Sequence, residues 1–429
     1  MNIQKSFAYD TLPNGLRVII VPRKESKTTA VQAFVGFGSF YEEENNMGIA
    51  HLIEHLVFEG TQAFVQPDQV IGEIEDIGGD IEVETNEEYT LFELAVESSK
   101  FPVAVKVLGE ILQRPLLRPK DLANEKKIIA AEIEGYLDDN QQCLTEETLK
   151  AVYGDSKVAR NIAGMLESVD AIKLEDVKKC FSQYYVARNI VLSVSGRVDI
   201  NEALDEIARN FSFMPQGQRP QNFSLPKTKQ SGAKLHYIRK PLKQSNVSLM
   251  FNSVELSHPL SEAAEMLAYL LGGLENSRLF RRVRTQRGLA YNVSATQRSF
   301  TGFGYFCAEA GVSPKNVAET LDILVAECSR IAKLGVNLGE LAKIRDFVSG
   351  KLAMLTDHHL VEAQFYGRDE LLENKFESVE DRFARLLRLT IEDMNSAASL
   401  ILQPENLQAV VISQDQNVPL LQDIINNYY

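Results

Sequence analysis

The segment GIAHLIEHLVFEGT, from Gly48 to Thr61, constrains the fold more than any other part of the chain. It places His51, Glu54 and His55 at positions i, i+3 and i+4, so on an α-helix all three side chains leave one face within about one turn. Neutral imidazole nitrogens are good zinc ligands, and a carboxylate beside the metal can take a proton from bound water. The segment therefore predicts a helix with two zinc ligands and a general base. An amphipathic helix with two partly buried histidines is the alternative.

A third ligand has to come from elsewhere in the chain. The segment DLANEKKIIAAEIEGYLDD predicts a helix that carries Glu125 and Glu132 two turns apart on one face. Small or apolar residues flank Glu132, so its carboxylate is expected to be partly buried and to need a charge or a metal as its partner. Most helix glutamates are solvated, and the residues alone leave that alternative open for both.

The two halves of the chain show the same order of predicted elements, which indicates an internal duplication. In the first half, residues 16–36 predict two strands before the histidine helix, for which Asn45 or Asn46 is a candidate N-cap. In the second half, KLHYIRK and SNVSLMFNS predict paired strands that precede further helices and strands. Aligning Asp121 with Glu340 sets the offset between the copies at 219 residues.

The aligned positions of the second copy hold no zinc ligands. With this offset, Leu270, Gly273, Leu274 and Lys351 take the places of His51, Glu54, His55 and Glu132. The predicted fold class is α+β, with two homologous α/β domains, each a mostly antiparallel sheet packed with helices. Residues 1–213 are the predicted metal-binding domain, and residues 233–429 are the homologous domain that lacks the metal site. Residues 214–232 contain three prolines and no periodicity, which predicts a linker.

Charge and composition exclude several classes of function. The formal net charge of −14 disfavours nucleic acid or an anionic membrane as the main partner, and it suits cationic or neutral polypeptide ligands. MNIQKSFAYDTLPNG contains no apolar stretch, and no later run is apolar enough to span a membrane, so we expect a cytoplasmic protein. The four cysteines lie far apart without a Cys-x-x-Cys pair, which argues against a cysteine metal site or a disulfide framework.

Several segments carry a resemblance to a known family, among them LPNGLRVIIVP, GSFYEEENNMGIAHLIEHLVFEGT, GGDIEVETNEEYTLF, EKKIIAAEIE and NSRLFRRVRTQRGLAYNVSA. Nearly the whole chain resembles the pitrilysin and insulysin-type zinc peptidases, also called inverzincins. Within them it is most similar to two-domain chains such as the mitochondrial processing peptidase subunits and their bacterial relatives. The resemblance implies that His51, His55 and Glu132 hold one Zn²⁺ per chain. It also implies that Glu54 activates the zinc-bound water and that Glu125 orients a ligand histidine.

The resemblance further implies how a peptide substrate is held. Arg284 and Tyr291 in RTQRGLAY match a pair that contacts the substrate near the scissile bond. The strand with Glu82 and Val83 matches an edge strand to which an extended substrate adds. In two-domain relatives the arginine and tyrosine come from the facing subunit, which implies a homodimer or a heterodimer with a related subunit. From the residues alone, a surface charge for Arg284 and a core aromatic for Tyr291 are the alternatives.

Two departures from the family pattern bear on the choice of substrate. Glu82 and Val83 stand where the family usually has Asn-Ala, and Phe40 stands where an arginine usually follows Gly-Ser. Because Glu84, Glu87 and Glu88 are close to Glu82 in the sequence, although alternation sends some of them outward, we expect a moderate preference for basic peptides. A solvated acidic strand face is the alternative.

Together these features predict a zinc endopeptidase that hydrolyses short or unfolded polypeptides in an enclosed chamber. A specific leader or precursor processing peptidase is an alternative with the same chemistry. A non-catalytic scaffold subunit of the same fold is an alternative of a different class. Scaffold relatives typically lose part of the metal set, so the presence of His51, Glu54, His55 and Glu132 favours an enzyme.

Overall fold

The computed structural model describes residues 2–4, 7–138, 140–225, 232–414 and 416–428, and it separates into two compact units. Unit 1 consists of Met1–Asp139, Arg160–Phe223 and Ala353–Val379. Unit 2 consists of Asn140–Ala159, Ser224–Leu352 and Glu380–Tyr429.

The strands in these residues are, in chain order, β1 (Asn2–Gln4), β2 (Phe7–Thr11), β3 (Arg17–Pro22), β4 (Thr28–Val35), β5 (Asp80–Thr85), β6 (Thr90–Glu97), β7 (Ile190–Gly196), β8 (Lys234–Arg239), β9 (Ser245–Ser253), β10 (Ala290–Ser299), β11 (Gly304–Val312) and β12 (Leu407–Ser413). The α-helices are α1 (Ile49–Leu56), α2 (Pro67–Glu75), α3 (Phe101–Gln113), α4 (Pro119–Asp138), α5 (Asn140–Tyr153), α6 (Leu166–Ala171), α7 (Leu174–Tyr184), α8 (Ile200–Phe211), α9 (Ser261–Ala268), α10 (Val317–Leu334), α11 (Leu338–Asp357), α12 (His359–Glu373), α13 (Val379–Leu387), α14 (Ile391–Ile401) and α15 (Val418–Asn426). Two π-helical segments, Tyr269–Gly273 and Phe280–Thr285, follow α9. None of the helices in this part of the chain has the length and hydropathy that crossing a membrane requires.

Unit 1 is built on a sheet whose strands lie in the order β1-β2-β3-β7-β4-β6-β5. The β3–β7 pair is parallel, and the other pairs are antiparallel. Every residue of β7, IVLSVSG, is buried, because β7 lies inside the sheet and α12 packs against it. At the far edge, β5 pairs with β6 and with no other described strand, so one side of its backbone is free to bind a further strand.

Unit 2 repeats this arrangement with the strand order β8-β12-β9-β11-β10. The parallel pair recurs as β8 and β12, and the remaining pairs are antiparallel. Helices α4 and α11 are both 20 residues long, and their first residues, Pro119 and Leu338, are separated by the predicted offset. The predicted fold class, two homologous units with mostly antiparallel sheets, is confirmed.

The predicted pairing of KLHYIRK with SNVSLMFNS is wrong. These segments form β8 and β9, but β12 lies between them, so that Ala409 pairs with Leu235 on one side and with Leu249 on the other. The strand that separates them comes from near the end of the chain. Local alternation predicts that a segment is a strand but not which distant strand becomes its neighbour.

The compact units differ from the sequential domains of the sequence analysis at two segments. Helix α5 belongs to unit 2 and contacts β9 and β12, whereas α12 belongs to unit 1 and contacts β4 and β7. The fit of α12 depends on Gly367, where a Cβ atom would lie 2.2 Å from the Phe34 ring. Each helix therefore packs against a sheet that comes from the other half of the chain. Residues 214–225, the described beginning of the predicted linker, form no helix or strand after Phe211.

Candidate metal centre

The predicted histidine helix is α1, and its burial explains its position. Its apolar residues Ile49, Leu52, Ile53 and Leu56 recur at helical spacing and are fully buried in the core of unit 1. The opposite face carries the three predicted site residues, which are half-buried. Because α1 contacts α4 and β5, this polar face meets the second predicted helix and the edge strand.

The start of α1 is capped by a residue that the sequence analysis missed. Gly48 is the N-cap residue, with a left-handed φ of 90° and no room for a side chain, since a Cβ atom would lie 2.5 Å from the Ala163 carbonyl oxygen. The Glu42 carboxylate instead accepts hydrogen bonds from the Gly48 and Ala50 N–H groups, both at 2.9 Å. The predicted cap at Asn45 or Asn46 is wrong, because the Asn46 side chain accepts the Glu43 N–H.

Replacing Glu42 with alanine is expected to lower the free energy of unfolding by about 1–3 kcal/mol, because two buried N–H groups lose their acceptor. Urea unfolding of the zinc-free protein measures this change. Exposed Glu44 supplies the matched control, since Glu44→Ala is expected to unfold like the wild type. Equal midpoints for the two variants would contradict the capping role of Glu42.

The third predicted ligand, Glu132 on α4, lies beside both histidines. Glu132 Oε2 is 3.8 Å from His51 Nε2 and 3.8 Å from His55 Nε2, and the two Nε2 atoms are 3.3 Å apart. Within the part of the chain that the structure describes, this is the one group of histidine, cysteine and acidic side chains placed to hold a metal ion. The three atoms thus form a compact triangle of possible ligands.

This triangle fits a zinc ion. Zinc binds imidazole nitrogen and carboxylate oxygen at about 2.0–2.2 Å, and two histidines with one glutamate are a known ligand set of catalytic sites, which keep a further position open. Glu132 Oε2 is buried and accepts no hydrogen bond in the structure. A buried carboxylate oxygen without a donor is unfavourable unless a cation compensates it. The arrangement therefore supports a metal ion at this place.

Glu125 fixes the orientation of one of the two histidines. Its Oε2 atom lies 2.9 Å from His55 Nδ1, and its side chain is only 6% exposed. An imidazole held through Nδ1 presents Nε2 to a metal, and carboxylates commonly hold metal-ligating histidines in this way. Glu125 thus has the geometry that the resemblance implied.

The protonation of the two histidines follows from their surroundings. Burial, and then the neighbouring His55, lower the pKa of His51 to about 4. Burial also acts to lower the pKa of His55, but the Glu125 hydrogen bond and the nearby carboxylates outweigh it, and the pKa of His55 is raised above its usual value. His51 is therefore neutral at physiological pH, which is the form that binds a metal.

Glu54 lies on the same face, and burial raises the pKa of its carboxyl group while hydrogen bonds from Thr85 act to lower it. The Thr85 hydroxyl donates to Glu54 Oε2. Thr85 is not among the site residues predicted from the sequence. Its signal was the alternation of β5, which turns Ile81, Val83 and Thr85 to one face.

The edge strand β5 presents different side chains on its two faces. Val83 is half-buried and lines a cavity of about 360 Å³ with Phe58 and Ile71, whereas Glu82 is exposed. Glu82 pairs in register with Glu93, whose carboxylate binds Gln32 on the opposite face of the sheet. Alternation therefore directs Glu82 away from the metal centre, although its backbone lies on the open edge.

The remaining predicted residues lie in unit 2 or in the core. Arg284 lies in π-helical Phe280–Thr285, with its guanidinium carbon 4.8 Å from the centre of the Phe280 ring. Tyr291 belongs to edge strand β10, and its side chain lies outside the described residues. Phe40 is buried, with its ring 4.8 Å from that of Phe223, and it serves packing.

In unit 2 the place that corresponds to the metal site is built from residues that do not bind metals. π-helical Tyr269–Gly273 contains the positions that align with His51 and Glu54. A Cβ atom at Gly272 would lie 2.4 Å from the Ala295 backbone nitrogen, so this segment packs directly on β10. The positions aligned with His51 and Glu54 are Leu270 and Gly273, which offer no metal ligand.

Comparison with known proteins adds a family context. The family model described as Insulinase (Peptidase family M16) matches residues 17–165, and the one described as Peptidase M16 inactive domain matches residues 171–347. An uncharacterized zinc protease from Streptomyces coelicolor is 26% identical over 423 residues, which cover 97% of this chain and 92% of that protein.

Solved structures share the fold over nearly the whole chain. A protease from Helicobacter pylori aligns with a TM-score of 0.87 at 22% identity, covering 95% of this chain and 99% of that chain. A peptidase M16 inactive domain from Pseudomonas fluorescens aligns with a TM-score of 0.88 at 20% identity, covering 96% and 98%. The metal centre lies entirely within the first family match and Arg284 within the second.

Proposed function

Because this chain belongs to the M16 peptidase family, we propose that it is a zinc-dependent endopeptidase that hydrolyses short or unfolded polypeptides in an enclosed chamber. The observation that carries the proposal is the triangle formed by His51 Nε2, His55 Nε2 and Glu132 Oε2, with Glu54 on the same helix face. A zinc ion at these ligands would lower the pKa of its water to about 7 and polarise a peptide carbonyl.

The residues of this chain supply the remaining parts of the reaction. Glu54 accepts the proton of the attacking water and returns it to the leaving amine, which is general base followed by general acid catalysis. Glu125 holds His55 through Nδ1 throughout. Because all of these groups are half-buried or buried, water competes weakly for their hydrogen bonds.

The open edge of β5 supports the binding of an extended peptide. A substrate that adds as a strand forms hydrogen bonds to the main chain around Glu82 and Val83, so the identity of these side chains does not block binding. The cavity between Val83, Phe58 and Ile71 then accepts a substrate side chain. The preference for basic peptides stays a prediction that depends on exposed Glu82 and Glu84.

A scaffold subunit without catalytic activity is the competing proposal. A scaffold gains nothing from the buried Glu132 oxygen that accepts no hydrogen bond, nor from Glu125 orienting His55 toward it. The complete ligand set therefore favours the enzyme. A processing peptidase with one preferred precursor would use the same centre. Cleavage of several unrelated unstructured peptides at similar rates would favour the broad endopeptidase.

We propose further that Arg284 and Tyr291 stabilise the oxyanion in a second subunit's site, as homodimer partners. Mixing an Arg284→Ala/Tyr291→Ala chain with a Glu54→Gln chain is then expected to restore activity. With free subunit exchange at equal amounts, about a quarter of the wild-type activity should return, because half of the dimers are mixed and each has one complete site. Peptide hydrolysis of the mixture measures the rescue.

Each variant alone serves as the control and should be nearly inactive. Subunit exchange is checked with two affinity tags on the same mixture. No rescue with exchange confirmed would contradict the shared site, and exchange with a different related chain in place of a self-dimer would favour a heterodimer.

A further inference from the structure

The proposed general base, Glu54, is held by a pair of buried threonine hydroxyls. The Thr85 hydroxyl donates to Glu54 Oε2, and Thr85 Oγ1 lies 3.3 Å from Thr90 Oγ1. The two threonines face each other across the β5–β6 ladder as register partners, 8% and 0% exposed. Burial at this level prevents water from replacing either hydrogen bond.

The direction of these hydrogen bonds follows from the number of protons. Thr90 Oγ1 donates to the carbonyl oxygen of Phe37 at 2.9 Å, and a carbonyl oxygen can only accept. The Thr90 proton is thereby used. The Thr85 proton points to Glu54 Oε2 rather than to the Thr90 oxygen 3.3 Å away, because a carboxylate oxygen is the stronger acceptor. The sheet thus presents a fixed hydroxyl donor to the carboxylate.

The threonine side chain is well suited to hold this direction. Two heavy atoms on its Cβ restrict the first side-chain torsion, so the hydroxyl turns away only with a movement of the methyl group. Two donors act on the Glu54 carboxylate, the hydroxyl and the backbone N–H of Thr85, and the hydroxyl binds Oε2. The Thr85 hydroxyl thus anchors one named oxygen of the carboxylate.

We infer that Thr85 is a positioning residue, which anchors Glu54 through Oε2 so that Oε1 carries the proton between the attacking water and the leaving amine. Thr90, the register partner of Thr85, donates its own proton to the Phe37 carbonyl oxygen. This inference rests on the proposed function, because it assigns a role to Thr85 in the same reaction.

Two substitutions at one position separate positioning from packing. Thr85→Val keeps the shape and removes the hydroxyl, whereas Thr85→Ser keeps the hydroxyl and removes a methyl group. Thr29→Val is the matched control, since Thr29 is a fully buried strand threonine of the same sheet whose hydroxyl binds Ser98. Hydrolysis of a quenched unstructured peptide by the zinc-loaded full chain gives kcat and KM for each.

Thr85→Val is expected to lower kcat by about 10- to 100-fold, the lower part of the range for losing a positioned acid or base, with KM within about twofold. Thr85→Ser should keep kcat within about threefold, and Thr29→Val should match the wild type. Zinc content should be equal in all. Crystal structures of the zinc-free proteins give a readout besides activity: Oε2 of Glu54 should keep its place in Thr85→Ser and lose it in Thr85→Val.

An active wild type with an equally active Thr85→Val would overturn the inference and leave the proposed function intact. Equal losses in Thr85→Val and Thr85→Ser, or in Thr85→Val and Thr29→Val, would also overturn it, because packing would then explain the effect. An unmoved Glu54 carboxylate in Thr85→Val would contradict it directly. A wild type without hydrolysis would defeat the proposed function and this inference together.

Discussion

Replacing Glu54 with glutamine is expected to lower kcat for peptide hydrolysis by about 10²–10⁴-fold, the usual contribution of a positioned acid or base. Glutamine has nearly the same shape, and its carbonyl oxygen can still accept the Thr85 hydrogen bond. What it lacks is the capacity to take a proton. One zinc per chain should remain bound, because Glu54 is not among the three ligand atoms.

The comparison that isolates this effect is Glu73→Gln, which removes the same charge from an exposed position on α2. That variant should hydrolyse peptide at the wild-type rate. Steady-state kinetics and metal analysis of the same preparations measure kcat and zinc content for both variants. A Glu54→Gln protein that keeps more than a tenth of the wild-type kcat would rule out Glu54 as the general base.

Replacing Glu132 with glutamine is expected to weaken zinc binding more than any substitution of its neighbours. Removing an outer carboxylate such as Glu125 typically costs about 10- to 100-fold in metal affinity, and removing a ligand should cost more. Exposed Glu134 on the same helix gives the control, with affinity unchanged. Competition with a chromophoric chelator measures all three, and the expected order of affinity loss is Glu132, then Glu125, then Glu134.

In the zinc-free protein, loss of the Glu132 carboxylate is not expected to lower the melting temperature. Glu132 Oε2 is buried and accepts no hydrogen bond there, so Glu132→Ala should leave the melting temperature of the zinc-free chain unchanged or raise it. A large destabilisation of the zinc-free protein would show that Glu132 has a structural role. Zinc affinity equal to that of Glu134→Gln would remove Glu132 from the ligand set.

The parts of the site that sequence could predict are those encoded by spacing within one element. His51, Glu54 and His55 share a face because of helical geometry alone. Glu125 and Glu132 are two turns apart for the same reason, although only the resemblance to a family linked them to the histidines. The structure places these five residues together in unit 1.

The missed residues act through contacts between distant elements. Glu42 accepts the Gly48 N–H at the start of α1. Glutamates stand at positions 42, 43 and 44, and the sequence does not indicate which of them caps the helix. Thr85 on strand β5 reaches Glu54 on helix α1, 31 positions away in the chain. The alternation of β5 indicates the face on which Thr85 lies but not its partner, since the packing of whole elements decides such pairs.

Strand neighbours and unit boundaries also depend on the packing of elements that are distant in the sequence. Strands β7 and β12 come late in each repeat and lie between two earlier strands of their sheets, so strands that are adjacent in sequence are separated in space. Helices α5 and α12 belong to the unit that contains mostly the other half of the chain. Local patterns predicted these elements correctly as strands and helices but not their partners.

The most direct test of the central claim is peptide hydrolysis by the purified full chain before chelation, after chelation and after the return of zinc, with metal analysis at each stage. The structure predicts one zinc per chain and cleavage of a quenched unstructured peptide. Cleavage should stop when the zinc is removed and recover when one equivalent is restored. A chain that binds no zinc and shows no chelator-sensitive hydrolysis would contradict the claim that His51, His55 and Glu132 form a catalytic metal centre.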